Sequence, residues 1–253
     1  MSLRAFGLKF WLRPYARQFL KDLKRPKRVQ DRVLSQLTSQ LSGTKYGLLF
    51  NVKGGDNYEQ YCKKVPIVTY DKLKHWIDRQ RTHESNILVN EPVVRYAFSG
   101  DKQSFPYTRS LERSFYRLFA IKAANTALNS KNIEPILAHY KSRWTQQPTP
   151  FPHSLLHDQP LHVEGPLMVK LQQSDAMLPL LSEVFYEFMS ADKSVLRVHE
   201  IEAGKIYDLI ISQKSGLYRY HIGIRVLASE PFRNTPSFQV IHDSNSDFRQ
   251  ALS

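Results

Sequence analysis

Ile206-Tyr207-Asp208-Leu209-Ile210-Ile211, a polar segment from Ser212 to Gly216, and then Leu217-Tyr218-Arg219-Tyr220-His221-Ile222 form the stretch whose reading decides the fold. Two runs rich in β-branched and aromatic residues flank a polar segment that closes on glycine. That is the pattern of a β-hairpin. Moving outward, Phe238-Gln239-Val240-Ile241 supplies a strand on one side. On the other side, Val184-Phe185-Tyr186-Glu187-Phe188 alternates, and Val195 to Val198 is a further candidate. The C-terminal half is therefore expected to be a mixed, largely antiparallel sheet.

Upstream the period changes. Val29, Val33, Leu37 and Leu41 recur every four residues and give a helix one apolar face, which Ser42-Gly43 ends. Pro14 is read as a helix start, with a helix over 15–24 stopped by Pro26. Gly54-Gly55 marks a turn and Val65-Pro66-Ile67 a short extended piece. Thr69 then caps a helix carrying Leu73, Trp76 and Ile77. The strand-like Val93 to Phe98 runs into Ser99-Gly100, and Pro106-Tyr107-Thr108 precedes a helix bearing Leu111, Phe115, Leu118 and Phe119. A strand, a small-residue loop and a helix is the order that phosphate-binding turns use.

Residues 129–163 hold Pro135, Pro148, Pro150, Pro152 and Pro160 and read as a linker or irregular cover. His153, His157 and His162 lie there. Because the prolines prevent one continuous helix, they are read as loop histidines rather than a zinc site. The expected division is 1–128, a proline-rich 129–162, and 163–253, within one compact α/β (α+β) domain with its helices mainly N-terminal.

The chain has 253 residues, 42% of them hydrophobic and 23% charged, with no apolar run near the roughly 20 residues that span a bilayer. Its one cysteine, Cys62, allows no internal disulfide, and a cytoplasmic setting is expected. The net charge of +13 is concentrated at the start: residues 1–28 carry nine Lys and Arg against Asp22 alone. A docked amphipathic helix with solvated charges accounts for that segment, and so does a surface for anionic membrane or nucleic acid.

Ser215-Gly216-Leu217-Tyr218-Arg219-Tyr220-His221-Ile222-Gly223 resembles the signature of the auxin-responsive Gretchen Hagen family of acyl-acid amido synthetases, a tyrosine-arginine strand ending in glycine-aspartate. Further pieces are similar in order and spacing: Val65 to Asp71, Ser99-Gly100 with Pro106 to Leu111, Val163-Glu164-Gly165, Phe185 to Phe188, Glu202 to Leu209, and Asn234-Thr235-Pro236. The resemblance covers 27–128 and 163–242. It implies an adenylate-forming large domain that uses ATP and magnesium to activate a carboxylic acid before an amine attacks it. It also assigns Ser99, Gly100 and Thr108 to the phosphate loop, Glu164 to magnesium, and Tyr218 and Arg219 to the nucleotide.

Four departures accompany it. Asp101 to Phe105 is all that lies between Gly100 and Pro106, so the loop is short and lacks its second glycine. Ile224 follows Gly223 where the family has its ribose-binding aspartate. Only the proline-rich stretch stands where the family has the centre of its large domain. The family's mobile C-terminal domain and its lysine are not expected before Ser253. The resemblance so modified implies a shortened, degenerate member with no cofactor, or with ATP and magnesium if the ancestral activity survives. A homo-oligomeric contact or a full-length synthetase is the expected partner. Each candidate also has a structural role open to it: Ser99 and Thr108 in a turn and a helix cap, Glu164 as a surface glutamate, Tyr218 in packing, and Arg219 paired with Glu187 or Asp208.

Overall fold

The computed structural model describes residues 3–82, 84–99, 103–129, 164–171 and 176–241, with backbone alone for 3–11 and 127–129. Five helices come first: α1 (Leu3–Asp22), α2 (Pro26–Leu41), α3 (Lys45–Leu49), α4 (Tyr58–Lys64) and α5 (Tyr70–Arg81). A hairpin of β1 (Val93–Phe98) and β2 (Ser104–Thr108) leads into α6 (Arg109–Asn129). Then follow β3 (Met168–Lys170), β4 (Met177–Pro179), β5 (Val184–Met189), β6 (Val195–Arg197), β7 (Ile206–Gln213), β8 (Leu217–Phe232) and β9 (Thr235–Ile241).

The seven later strands make one sheet in the order β3-β4-β9-β8-β7-β5-β6, with every neighbouring pair antiparallel. The β7–β8 hairpin at its centre is the one the sequence announces. β8 runs ten residues past Ile222 because Gly223, at φ +79°, lets the strand bulge and continue. A parallel contact comes from outside the sheet, where Val68 bridges Tyr220.

α2 shows how the helices join the sheet. Its stripe of Val29, Val33, Leu37 and Leu41 is buried, each such side chain contributing about 1.5–3 kcal/mol. Gln30, inside the same face, donates to Leu181 O and Val184 O and accepts from Tyr186 N, all at 2.8 Å. A buried amide with three backbone partners fixes the helix against the start of β5. One hydrophobic cluster results, running from Phe19 in α1 to Phe238 in β9.

Two sequence expectations need correction. Pro14 does not begin a helix: it lies inside α1, which extends back to Leu3. The missing N–H and ring of proline disfavour that position, but α1 packs along α6, and Leu12 and Phe19 are buried. Tertiary packing outweighs the local preference. Second, the order strand, loop, helix omits a strand: Pro106-Tyr107-Thr108 does precede a helix, but as the end of β2. The unit is therefore strand, turn, strand, helix, and the small-residue loop is a hairpin connection.

Candidate functional site

The short connection around Ser99 is closed by local chemistry. Phe98 pairs with Ser104, and Ser99 N donates to Gln103 O at 2.9 Å. Ser104 N in turn donates to the Tyr70 hydroxyl at 2.9 Å, which ties the hairpin to the first turn of α5. Ser99 Oγ is buried with no hydrogen-bond partner among the described residues. Gly100 lies outside the described residues. Thr108 is fully buried, and its hydroxyl accepts from Leu111 N at 3.2 Å, which is how a threonine caps a helix.

Glu164 sits close to this hairpin. It is buried, its carbonyl accepts from the Gln213 side-chain amide, and burial pushes its carboxyl up to about 7. The next residue, Gly165, has φ +137°, and a Cβ there would lie 2.6 Å from Leu111 Cδ1. The positive φ favours glycine at that position, and a side chain there would also displace the end of Leu111. Burial, and after it the Glu164 carboxylate, raises the Tyr220 hydroxyl. Phe105 packs edge-on to Tyr220, with ring centroids 6.0 Å apart, and Tyr70 leans on Phe105 at 5.4 Å. No cluster of three or more His, Cys, Asp or Glu with metal-binding geometry occurs among the described residues.

Tyr218 and Arg219 point elsewhere. Tyr218 is fully buried, donates to Leu88 O at 3.0 Å and stacks on Tyr46 at 6.2 Å. Arg219 adopts φ +46° within a bulge, and its N–H donates to Ser212 Oγ at 2.9 Å. Its guanidinium is consumed internally. Nε and Nη2 bind Glu187 at 2.9–3.2 Å, and Nη1 donates to Cys62 O and Val65 O at 3.2 and 3.0 Å. Those carbonyls are at the end of α4, where helices leave acceptors unpaired. Arg219 therefore serves as a charged C-cap, and Glu187, fully buried, holds it in place. Tyr58 also donates to Glu187, at 3.1 Å, and burial together with that carboxylate pushes the Cys62 thiol up to about 12. Such a thiol is not a nucleophile at neutral pH.

Ile224 completes the picture. It is 5% exposed and belongs to the hydrophobic cluster. Of the six sequence candidates, the structure places Ser99, Thr108 and Glu164 around the β1–β2 hairpin and the start of α6, and directs Tyr218 and Arg219 into the packing between β8 and the helices. Sequence reading did not single out Tyr70, Phe105 or Gln213. Gln213, a polar residue closing the apolar run Leu209-Ile210-Ile211 with Ser212, was the signal available.

Comparison with known proteins accords with this frame. The GH3 family N-terminal domain matches residues 15–180 and the GH3 family central domain matches residues 177–242. The chain belongs to the GH3 family. Its curated relatives include indole-3-acetic acid-amido synthetase GH3.4 of Arabidopsis thaliana, 33% identical over 86 residues, which is 33% of this chain and 14% of that protein. Indole-3-acetic acid-amido synthetase GH3.17 of the same plant is 37% identical over 68 residues, covering 26% of this chain and 11% of the relative. The matched stretch thus spans a small fraction of those proteins. Among solved structures, the GH3.15 acyl acid amido synthetase superposes with a TM-score of 0.67 at 15% identity, covering 88% of this chain and 69% of that one. That likeness gives the fold alone, a mixed α/β architecture.

Proposed function

We propose that this GH3-family chain is a non-catalytic member, a binding or regulatory module built on the scaffold of an ATP-dependent acyl-acid amido synthetase. The observation that carries the reading is Ile224. By the family resemblance this position holds the carboxylate that grips the ribose. Here it is an aliphatic side chain 5% exposed within the core. A hydrogen bond to a charged group contributes about 1.5–3 kcal/mol, so its loss alone weakens a nucleotide tenfold or more.

The side chains present do not fit a magnesium nucleotide in other respects. Ser99 N is occupied by Gln103 O across a connection of only three residues, which supplies few amides to surround phosphates. The Arg219 guanidinium is bound by Glu187 and two carbonyls, and the Tyr218 ring is enclosed. Glu164, the candidate magnesium ligand, is kept largely neutral by its burial up to about pH 7, whereas magnesium takes ionised carboxylates.

Isothermal titration of the whole chain with ATP and magnesium tests the proposal, together with pyrophosphate exchange in the presence of indole-3-acetic acid. No heat and no exchange are expected. An Ile224→Asp variant, checked for folding by circular dichroism, is expected to stay silent as well, since the other departures remain. Micromolar binding by the unaltered chain would overturn the reading. It would favour instead a residual ligase completed by a partner chain.

A further inference from the structure

The corner where α1 gives way to α2 exposes Lys24, Arg25, Lys27 and Arg28. These four line an open recess of about 390 Å³ together with Pro26, Asp31 and Asn234. Asn234 belongs to the two-residue turn between β8 and β9, and three hydrogen bonds hold that turn on the corner. Asn234 N donates to Leu23 O at 3.2 Å, Asn234 Nδ2 to Lys24 O at 3.0 Å, and Thr235 Oγ1 to Leu23 O at 2.7 Å. Arg233 and Phe232, which adjoin Asn234 in the chain, are thereby held next to the corner, although more than 200 residues separate them from Lys24. Phe232 is 41% exposed at the hairpin tip, with the Arg233 guanidinium 5.7 Å from its ring centre. Of the five cations, Lys27 pairs with Asp31 at 2.8 Å; the other four have no acidic partner among the described residues.

We propose that this corner docks on an anionic lipid bilayer, with Lys24, Arg25, Lys27, Arg28 and Arg233 at the headgroups and Phe232 entering the boundary with the acyl chains. Two kinds of attraction coincide there. A polybasic cluster responds to the surface potential, and a projecting aromatic adds apolar burial. The geometry favours a bilayer over nucleic acid. A single-strand groove follows the backbone and offers open ring faces for stacking, whereas here the exposed ring sits at a hairpin end with Arg233 over it. The inference does not depend on whether the nucleotide site works.

Flotation of the whole chain with vesicles tests it. Binding is expected to phosphatidylcholine carrying about one-third phosphatidylserine, not to phosphatidylcholine alone, and it weakens as salt is added. Lys24→Gln, Arg25→Gln and Arg28→Gln combined lower the partition by roughly 100-fold. Phe232→Ser lowers it by roughly tenfold and leaves the salt slope unchanged. All four side chains are exposed, so an unchanged thermal midpoint verifies that the variants fold. No partition to the anionic vesicles, or partition indifferent to both variants, overturns the proposal. So does tighter binding to a single-stranded oligonucleotide at the same salt, with Phe232→Ser silent.

Discussion

Arg219 sets two energetic terms against each other. A non-glycine residue at φ +46° is strained by about 1–2 kcal/mol, and its charge is taken almost wholly out of water. The compensation is a forked contact with Glu187, two helix-end carbonyls and a backbone hydrogen bond to Ser212. Arg219→Met leaves Glu187 charged and buried without its partner, so a loss of roughly 3–5 kcal/mol in urea unfolding is expected. Arg219→Lys is expected to recover only part of it, because an ammonium cannot reproduce the fork. A loss below about 1 kcal/mol for Arg219→Met would mean the pair is not what holds α4 against β8. Glu164 gives a prediction of opposite character. Its folded-state pKa of about 7 lies above the 4.5 of the free side chain because burial penalises the charged form. Between those values the folded protein binds the additional proton, so stability falls as pH rises from about 4.5 to about 7 and levels off above. The swing amounts to roughly 3 kcal/mol. Glu164→Gln is expected to remove that slope, as read from urea midpoints at about pH 5 and about pH 8.

Among the elements, α2 is held by its apolar stripe and positioned by a single buried polar residue. Gln30 satisfies Leu181 O, Val184 O and Tyr186 N where the chain enters β5, ahead of the stretch from Glu187 that β6 pairs with. Gln30→Leu preserves volume and helix propensity but strands those three backbone groups. The expected loss in chemical unfolding is roughly 3 kcal/mol, several times that of an exposed substitution on the same helix such as Gln36→Leu. The contrast also shows what could be read from sequence. The stripe of α2 and the β7–β8 hairpin follow from periodicity, which is a local property, and both formed as expected. Pro14 misled because the contact with α6 that keeps α1 helical lies about 100 residues away. Likewise the order strand, loop, helix concealed β2, whose Pro106 argues against a strand until its pairing with β1 is known. For the site, motif order gave the neighbourhood of Ser99, Thr108 and Glu164. For Arg219 the sequence left a nucleotide, Glu187 and Asp208 open as partners, and the structure selects Glu187, 32 residues distant, through a bulge in β8 that motif order does not reveal.

For the whole molecule the question is whether 1–128 and 163–253 unfold together. Single domains above about 150 residues often unfold in stages, so one transition is not the default for a chain of 253. The cross-links argue for cooperativity. The hydrophobic cluster draws from both regions, Gln30 binds the start of β5, and Arg219 of β8 binds the end of α4. Val68 and His221 add backbone hydrogen bonds, Val68 N to Arg219 O at 3.0 Å and His221 N to Val68 O at 2.8 Å. Loss of either half exposes buried charge and unpaired backbone in the other, a penalty of several kcal/mol that no partly folded state recovers. The three tryptophans, Trp11, Trp76 and Trp144, all precede residue 163, while the seven-stranded sheet follows it. Trp11 and Trp76 lie within 1–128 and Trp144 between the two regions, so the fluorescence of a Trp144→Phe variant reports the first region, while far-ultraviolet circular dichroism includes the second. Their urea midpoints are expected to coincide. Two separated transitions would show that the halves are independent folding units, joined by contacts too weak to couple them.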